Sequence, residues 1–322
     1  MPKEMTHFAL ARFLARAVPE TSAFYSPVQR FPYLFCLGAV TPDIPFFTQA
    51  GPGADKIQAL SLPFHGSDSR ALGPVLGFLD RHQSERALAL AAGVICHIFS
   101  DTRFHPLVYY YTGMDLIHAG ATAKHRQFET AMDLYFQYLC PGDTSLGQVV
   151  KNIEISRTHL NKFLMDLFQA ELGLEKGVNR SLTWFITFQS LFRSPAIRTS
   201  MAWFSRMGWP LPEKITGLVY PSDKPVCLPF FDREIRFQDP CTGERVNTRI
   251  EEMISQVVQS SLQILDLASI AMDSKRPVTH ILKHPDLPLI RPDLPVKVFD
   301  IWREAPDLLP LLYPEDKFQY IF

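Results

Sequence analysis

The stretch His97-Ile98-Phe99-Ser100-Asp101-Thr102-Arg103-Phe104-His105 closes the most apolar run of the chain, Ala87 to Ser100, and its reading decides the fold. Helical residues turn by about 100° each, so side chains spaced by four drift only about 80° over three positions. His97, Asp101 and His105 therefore line one helical face over two turns. A carboxylate inside Val94-Ile95-Cys96-His97-Ile98-Phe99-Ser100-Asp101 needs compensation if buried, because an unpaired buried charge is very costly. A metal ion supplies the compensation. The row is too long for one small ion and suits two or three, with the two oxygens of Asp101 shared between neighbours.

Working outward, helical apolar spacing recurs and strand signals are scarce. Phe8, Leu10, Ala11, Phe13, Leu14 and Val18 mark a first helix that Pro19 stops. Phe24 to Pro74 is rich in Pro and Gly and reads as short helices and loops. The ligand helix spans Arg86 to about His105, where Pro106 should end or kink it. Further helices are expected over Lys124–Leu139, Gln148–Leu172, Arg180–Phe192, Ala196–Met207 and Arg249–Ala271. A Pro-rich linker runs from Trp209 to Gly243, and eight prolines follow Ser274. The expected architecture is all-α: a helical metal-binding catalytic domain over 1–215, then a linker, a long helix and a Pro-rich C-terminal arm over 216–322.

Composition excludes some classes. The 322 residues are 47% apolar and 20% charged, with a net charge of −1 and a pI near 6.8. Duplex nucleic acid, which calls for a basic surface, is not an expected partner. Five cysteines, Cys36, Cys96, Cys140, Cys227 and Cys241, lack the spacing of a thiolate zinc site and read as reduced thiols in a cytoplasm. The N-terminus has no signal-peptide pattern, and the run Ala87 to Ser100 is shorter than a membrane span of about 20 residues.

A second ligand pair, His125 and Glu129, again sits at i and i+4. Thr41-Pro42-Asp43-Ile44-Pro45 holds an aspartate between two prolines, and His7 and His65 add two imidazoles. Imidazole and carboxylate donors fit zinc, with manganese and iron compatible. The plain alternatives are hydrogen-bonded core histidines, a surface pair for His125 and Glu129, and a turn-capping Asp43.

This ordered set resembles the zinc-dependent phospholipase C superfamily, whose relatives include zinc nucleases preferring single strands. The resemblance covers roughly the first 140 residues. It implies an all-helical domain binding two to three zinc ions, with attack of a metal-bound water on a phosphodiester. His7 and Asp101 would hold one ion; Asp43, His65, His97 and Asp101 a second; His105, His125 and Glu129 the third. Asp43 and Asp101 would be the catalytic carboxylates, with Asp43 also taking the proton. Secreted bacterial members begin with a Trp whose amine and carbonyl complete one zinc shell; this chain has no Trp there, and its substitute would be the amine of Pro2 if Met1 is removed. The interval from Asp101 to His105 is shorter than in the secreted lipases and resembles the glycosyl-phosphatidylinositol-specific and cytosolic branches. Ile44 and Leu62 stand where aromatic residues cage choline, so phosphatidylcholine is not the implied substrate.

The implied substrate is a phosphate ester, with phospholipid as the family's usual one. Tyr109-Tyr110-Tyr111, Phe46, Phe47, Phe64 and the Trp184–Trp209 segment offer peripheral membrane contact; core packing with snorkelling Arg193, Arg198 and Arg206 is the plain alternative. Rival functions are a soluble-metabolite phosphoesterase, a nuclease and a non-catalytic metal-binding scaffold. His82, His118, His159, His280 and His284 read as surface residues, and Asp133 as either a support to the ligands or a surface group.

Overall fold

The computed structural model describes residues 4–48, 51, 53–113, 121–140, 145–207, 217–220 and 228–293. The expectations for Pro2, His118, Trp209, Cys227, the domain boundary at 215 and the arm beyond 293 lie outside these residues. Among the described residues the chain is all-α apart from one hairpin. In order come α1 (Glu4–Ala17), α2 (Tyr25–Arg30), α3 (Pro32–Gly38), α4 (Ala54–Ala59), α5 (Gly73–Arg81), α6 (Glu85–Thr112) and α7 (Ala121–Leu139). There follow α8 (Leu146–Lys151), α9 (Arg157–Phe168), α10 (Glu175–Phe192), α11 (Pro195–Arg206), α12 (Leu228–Phe231) and α13 (Ile250–Asp273). Two 3-10 turns, Thr41–Phe47 and Leu62–His65, matter for the site.

Helix α6 is the axis of the molecule. Its sequence is apolar around nearly the whole circumference, so it has no solvated face and must be surrounded. Helices α1, α2, α3, α5, α7 and α13 all pack on it. By length and composition alone it could cross a bilayer, but its most apolar window is 94% buried inside the protein. One apolar core runs from Met5 to Ile290 and includes α13.

The closest packing is between α3 and α6. A Cβ on Gly93 would stand 2.1 Å from the Phe35 carbonyl oxygen and 2.7 Å from the Ala39 nitrogen. A Cβ on Gly38 would stand 2.1 Å from the Leu90 carbonyl oxygen. Only glycine at both positions lets these backbones touch.

Three expectations need correction. Helix α6 runs through Pro106 to Thr112 rather than ending at His105. The missing N–H and ring clash cost about 3 kcal/mol. Beyond it Leu107, Val108 and Tyr111 are buried, each stabilising by about 1.5–3 kcal/mol, so packing outweighs the break. The single helix expected over Gln148–Leu172 is two, because Ser156 caps a fresh start by accepting from the His159 backbone N–H. Within the expected linker stands a hairpin, β1 (Ile235–Gln238) against β2 (Arg245–Thr248), antiparallel with Ile235 opposite Thr248. Its turn is organised by Asp239, whose Oδ1 accepts from the Cys241 and Thr242 N–H groups.

Candidate metal centre

Five separate segments converge on the inward face of α6. Helix α1 brings His7, the 3-10 turn Thr41–Phe47 brings Asp43, and the turn Leu62–His65 brings His65. Helix α6 supplies His97, Asp101 and His105, and α7 supplies His125 and Glu129. All eight side chains are buried.

Asp101 stands at the centre. Its Oδ2 lies 3.2 Å from His97 Nε2 and 3.6 Å from His65 Nε2. Asp43 Oδ1 lies 3.1 Å from His65 Nε2 and 3.6 Å from His97 Nε2, and the two imidazole nitrogens are 3.5 Å apart. Four donors bound at about 2.0–2.1 Å to a tetrahedral zinc ion are about 3.3–3.4 Å apart. Five edges of such a tetrahedron are therefore already in place.

The other oxygen of Asp101 faces elsewhere. Oδ1 lies 3.6 Å from His7 Nε2 and 3.7 Å from His105 Nε2. The donor atoms of His7, His97 and Asp101 all fall within 4.8 Å of one another, as do those of Asp43, His65 and His97. His7 and His97 stack with centroids 4.3 Å apart. Both oxygens of Asp101, both nitrogens of His7 and Nε2 of His105 are buried with no hydrogen-bond partner among the described residues. Orphaned buried acceptors of this kind are rare, and a cation shared through the two oxygens of Asp101 satisfies them together.

His125 and Glu129 form a pair at 2.9 Å on α7. His105 lies between this pair and the main cluster, its ring 6.4 Å from that of His125. Tyr109 fills the gap, 5.5 Å from His105 and 5.3 Å from His125.

The imidazoles are oriented from behind by backbone carbonyls. His97 Nδ1 donates to Ala39 O at 2.9 Å, His65 Nδ1 to Ser61 O at 2.9 Å, and His105 Nδ1 to Pro292 O. Each contact commits Nδ1 as donor and aims Nε2 inward, the tautomer that metal-binding histidines adopt. The Ala39 carbonyl is within reach because Gly38 and Gly93 let α3 touch α6.

Charges in the cluster bias one another. Burial alone would push His97 down, but Asp101 and Asp43 raise it to about 9. For His7 burial wins, joined by the charge of His97, and its pKa falls to about 3. Burial would raise the two carboxylates; neighbouring imidazoles override it and hold Asp43 and Asp101 below the ordinary range. The site thus keeps both carboxylates ionised, which a cation requires.

The model of the zinc-dependent phospholipase C family matches residues 6–176, more than half of the chain and the whole of this cluster. The chain belongs to the zinc-dependent phospholipase C family. No curated protein and no solved structure matches it. The phospholipase C family's metal is zinc, and the His and Asp groups here suit that ion.

Some residues around the site escape a reading for ligands. Asp133 is fully buried and accepts from Thr6 N at 2.8 Å, Thr6 Oγ1 at 2.7 Å, Met5 N at 3.2 Å and Tyr220 OH at 2.6 Å. It thereby anchors the first turn of α1 and places His7. The signal was present: His125, Glu129 and Asp133 repeat the spacing of His97, Asp101 and His105. His82 is half-buried against Asp166 at 2.9 Å rather than on the surface, while His159, His280 and His284 are exposed. Arg193 is not a snorkelling surface charge; its Nη2 lies 3.1 Å from the buried Glu4. Trp203 is 56% exposed, whereas Tyr111 and Phe64 belong to the core.

Proposed function

We propose that this chain hydrolyses phosphodiesters in the manner of a phospholipase C, with zinc held by His7, Asp43, His65, His97, Asp101, His105, His125 and Glu129. The observation that carries this is Asp101, whose Oδ2 completes a set with His65, His97 and Asp43 at tetrahedral spacing while its Oδ1 faces His7 and His105 at 3.6 and 3.7 Å. Zinc bound there supplies Lewis acidity, lowering the pKa of water and stabilising charge on phosphoryl oxygens. The protein's part is positional. Asp101 fixes the distance between the two donor sets. Asp43, ionised and slightly exposed, is placed to accept the proton that an attacking water gives up.

Access supports a lipid-like substrate. His7, His97 and Asp101 have no exposure, whereas Asp43 and His65 retain 4% and 9%. The Asp43–His65 edge is bordered by half-buried Phe46 and Phe47 and by exposed Leu62, while His125 and Glu129 keep 6% and 4% on the α7 side. An apolar rim beside a metal centre suits an ester carrying acyl chains and a peripheral membrane contact. We place the chain in the cytoplasm on its free thiols Cys36, Cys96, Cys140 and Cys241, a proposal that cell fractionation tests.

The deciding experiment compares zinc-loaded protein on bis(p-nitrophenyl) phosphate, phosphatidylinositol vesicles, a water-soluble phosphodiester and a single-stranded oligonucleotide. Release of diacylglycerol at the highest kcat/KM is expected. Preference for the oligonucleotide or the soluble ester would replace phospholipase by nuclease or metabolite phosphoesterase. Turnover of none, with zinc bound, would leave a metal-binding scaffold.

A further inference from the structure

Behind α6, away from the ligand row, lies a cavity of about 180 Å³ lined by Thr102, Arg103, Pro106 and Arg291 among others. Thr102, Arg103 and Pro106 sit about 140–240° around the helix from His97, so this cavity does not open on the metal face. Arg291 is only 8% exposed, yet its Nε has no hydrogen-bond partner among the described residues. Arg103 is half-buried, its Nε is equally unpaired, and no carboxylate among the described residues pairs with it.

Two carboxylates line the cavity, and neither pairs with Arg103 among the described residues. Asp239 takes Arg291 Nη2 at 2.5 Å while its Oδ1 holds the hairpin turn. Glu252, on the exposed rim, accepts from Arg249 N at 3.2 Å and Thr248 Oγ1 at 3.0 Å, capping α13. Two guanidinium groups thus share the space with Asp239, which pairs with Arg291, and with Glu252 on the exposed rim, which pairs with neither. Partly buried cations left short of counter-charge are costly, and guanidinium forks match phosphate-type oxygens. The volume equals about six waters at about 30 Å³ each, below the roughly 300 Å³ at which organic-ligand pockets begin.

We propose that this cavity is a second, separate site for a small tetrahedral oxyanion of the phosphate class, held between Arg103 and Arg291. Its occupancy steadies His105. Residues 291–293 run along α6 with one contact per turn. Arg291 N donates to Thr102 Oγ1 at 3.0 Å, Pro292 O accepts from His105 Nδ1, and Asp293 Oδ1 accepts from Tyr109 OH at 3.0 Å. An anion on Arg291 pins the segment that aims His105. The binding claim is independent of the hydrolase proposal; the effect on His105 rests on its being a zinc ligand.

The test is isothermal calorimetry of inorganic sulfate, a tetrahedral dianion and poor zinc ligand, with the full chain at constant ionic strength. The wild type should show one saturable site, kept in Asp101→Asn because the metal centre is elsewhere. Arg103→Met should weaken it by about tenfold or more, the loss of one charge-assisted pair. Gln256→Glu, an exposed rim position, adds a repelling carboxylate without touching the core and should weaken it likewise. No saturable binding to the wild type, or binding lost in Asp101→Asn and kept in the other two, overturns the site. Sulfate should also slow zinc transfer to a colorimetric chelator in the wild type and not in Arg103→Met. Equal rates, with calorimetric binding intact, overturn the link to His105 alone; a zinc-free wild type would instead sink the hydrolase reading and leave the calorimetry to decide.

Discussion

Replacing Asp101 by Asn keeps the shape of the side chain and changes only its electronics. The carboxylate serves four imidazoles, at 3.2 and 3.6 Å from Oδ2 and at 3.6 and 3.7 Å from Oδ1. Asparagine retains one acceptor oxygen, so whichever way it turns, its NH2 group faces one donor set and opposes a cation there. The negative charge that would offset two dications in the proposed site is lost as well. Changing a group one bond beyond the metal typically costs about 10–100-fold in affinity; if Asp101 is shared by two ions, as proposed, its loss should cost at least about 100-fold at each, or about 2.8 kcal/mol. The assay is elemental mass spectrometry after dialysis against buffered zinc, with far-ultraviolet circular dichroism confirming that α6 remains helical. Wild type should retain two to three ions per chain, and Asp101→Asn at least one fewer, with hydrolysis below about 1% of wild type. Equal zinc content and affinity in the two proteins would refute the bridging role. A wild type that takes up no zinc, manganese or iron would remove the metal centre altogether.

Protons should oppose zinc uptake in a defined window. With His97 raised to about 9, the chelated protein holds one proton there that zinc must displace, whereas His7, lowered to about 3, is already neutral. Zinc affinity should therefore climb about tenfold per pH unit from 7 to 9 and then level off; a flat profile in competition titrations over that range would contradict it. Gly93→Ala forces α3 off α6, because the new Cβ meets Phe35 O at 2.1 Å. Urea unfolding should show a loss of about 1–3 kcal/mol, and zinc affinity should fall about 10–100-fold as the Ala39 carbonyl leaves His97. Unchanged affinity would mean that this carbonyl does not orient the ring. Asp133→Asn sets an NH2 group against donors from Thr6, Met5 and Tyr220 and should cost about 2–4 kcal/mol in the same unfolding assay; a change below about 0.5 kcal/mol would show that α1 is anchored by other contacts.

The sequence exposed the donors because their types are rare in an apolar run and because helical spacing lines them up. His97, Asp101 and His105 needed only the geometry of one helix. His7, Asp43 and His65 come from a helix end and two 3-10 turns whose convergence no local pattern reveals, and ordered resemblance to a family was needed to gather them. Helix boundaries failed where packing overruled a local breaker, as at Pro106, or where a hydroxyl started a new helix, as at Ser156. The hairpin beneath Arg291 was missed because four-residue strands flanking Asp239 carry little periodicity to read.

What remained hidden has a common physical character. Three of the imidazoles are aimed by the carbonyls of Ala39, Ser61 and Pro292, and a carbonyl has no side chain to mark it in a sequence. Such acceptors are supplied wherever the backbone happens to pass, so their placement is a property of packing. The nearest readable traces are the residues that let the backbone approach: Gly38 and Gly93 for Ala39, and Ser61, whose Oγ donates to Pro42 O at 2.6 Å and ties the His65 turn to the Asp43 turn. For Pro292 the trace is Thr102, which accepts the Arg291 N–H one turn before His105. Small and hydroxyl residues beside a ligand row are thus part of the centre, since they fix the distance at which a neighbouring chain can offer its oxygen.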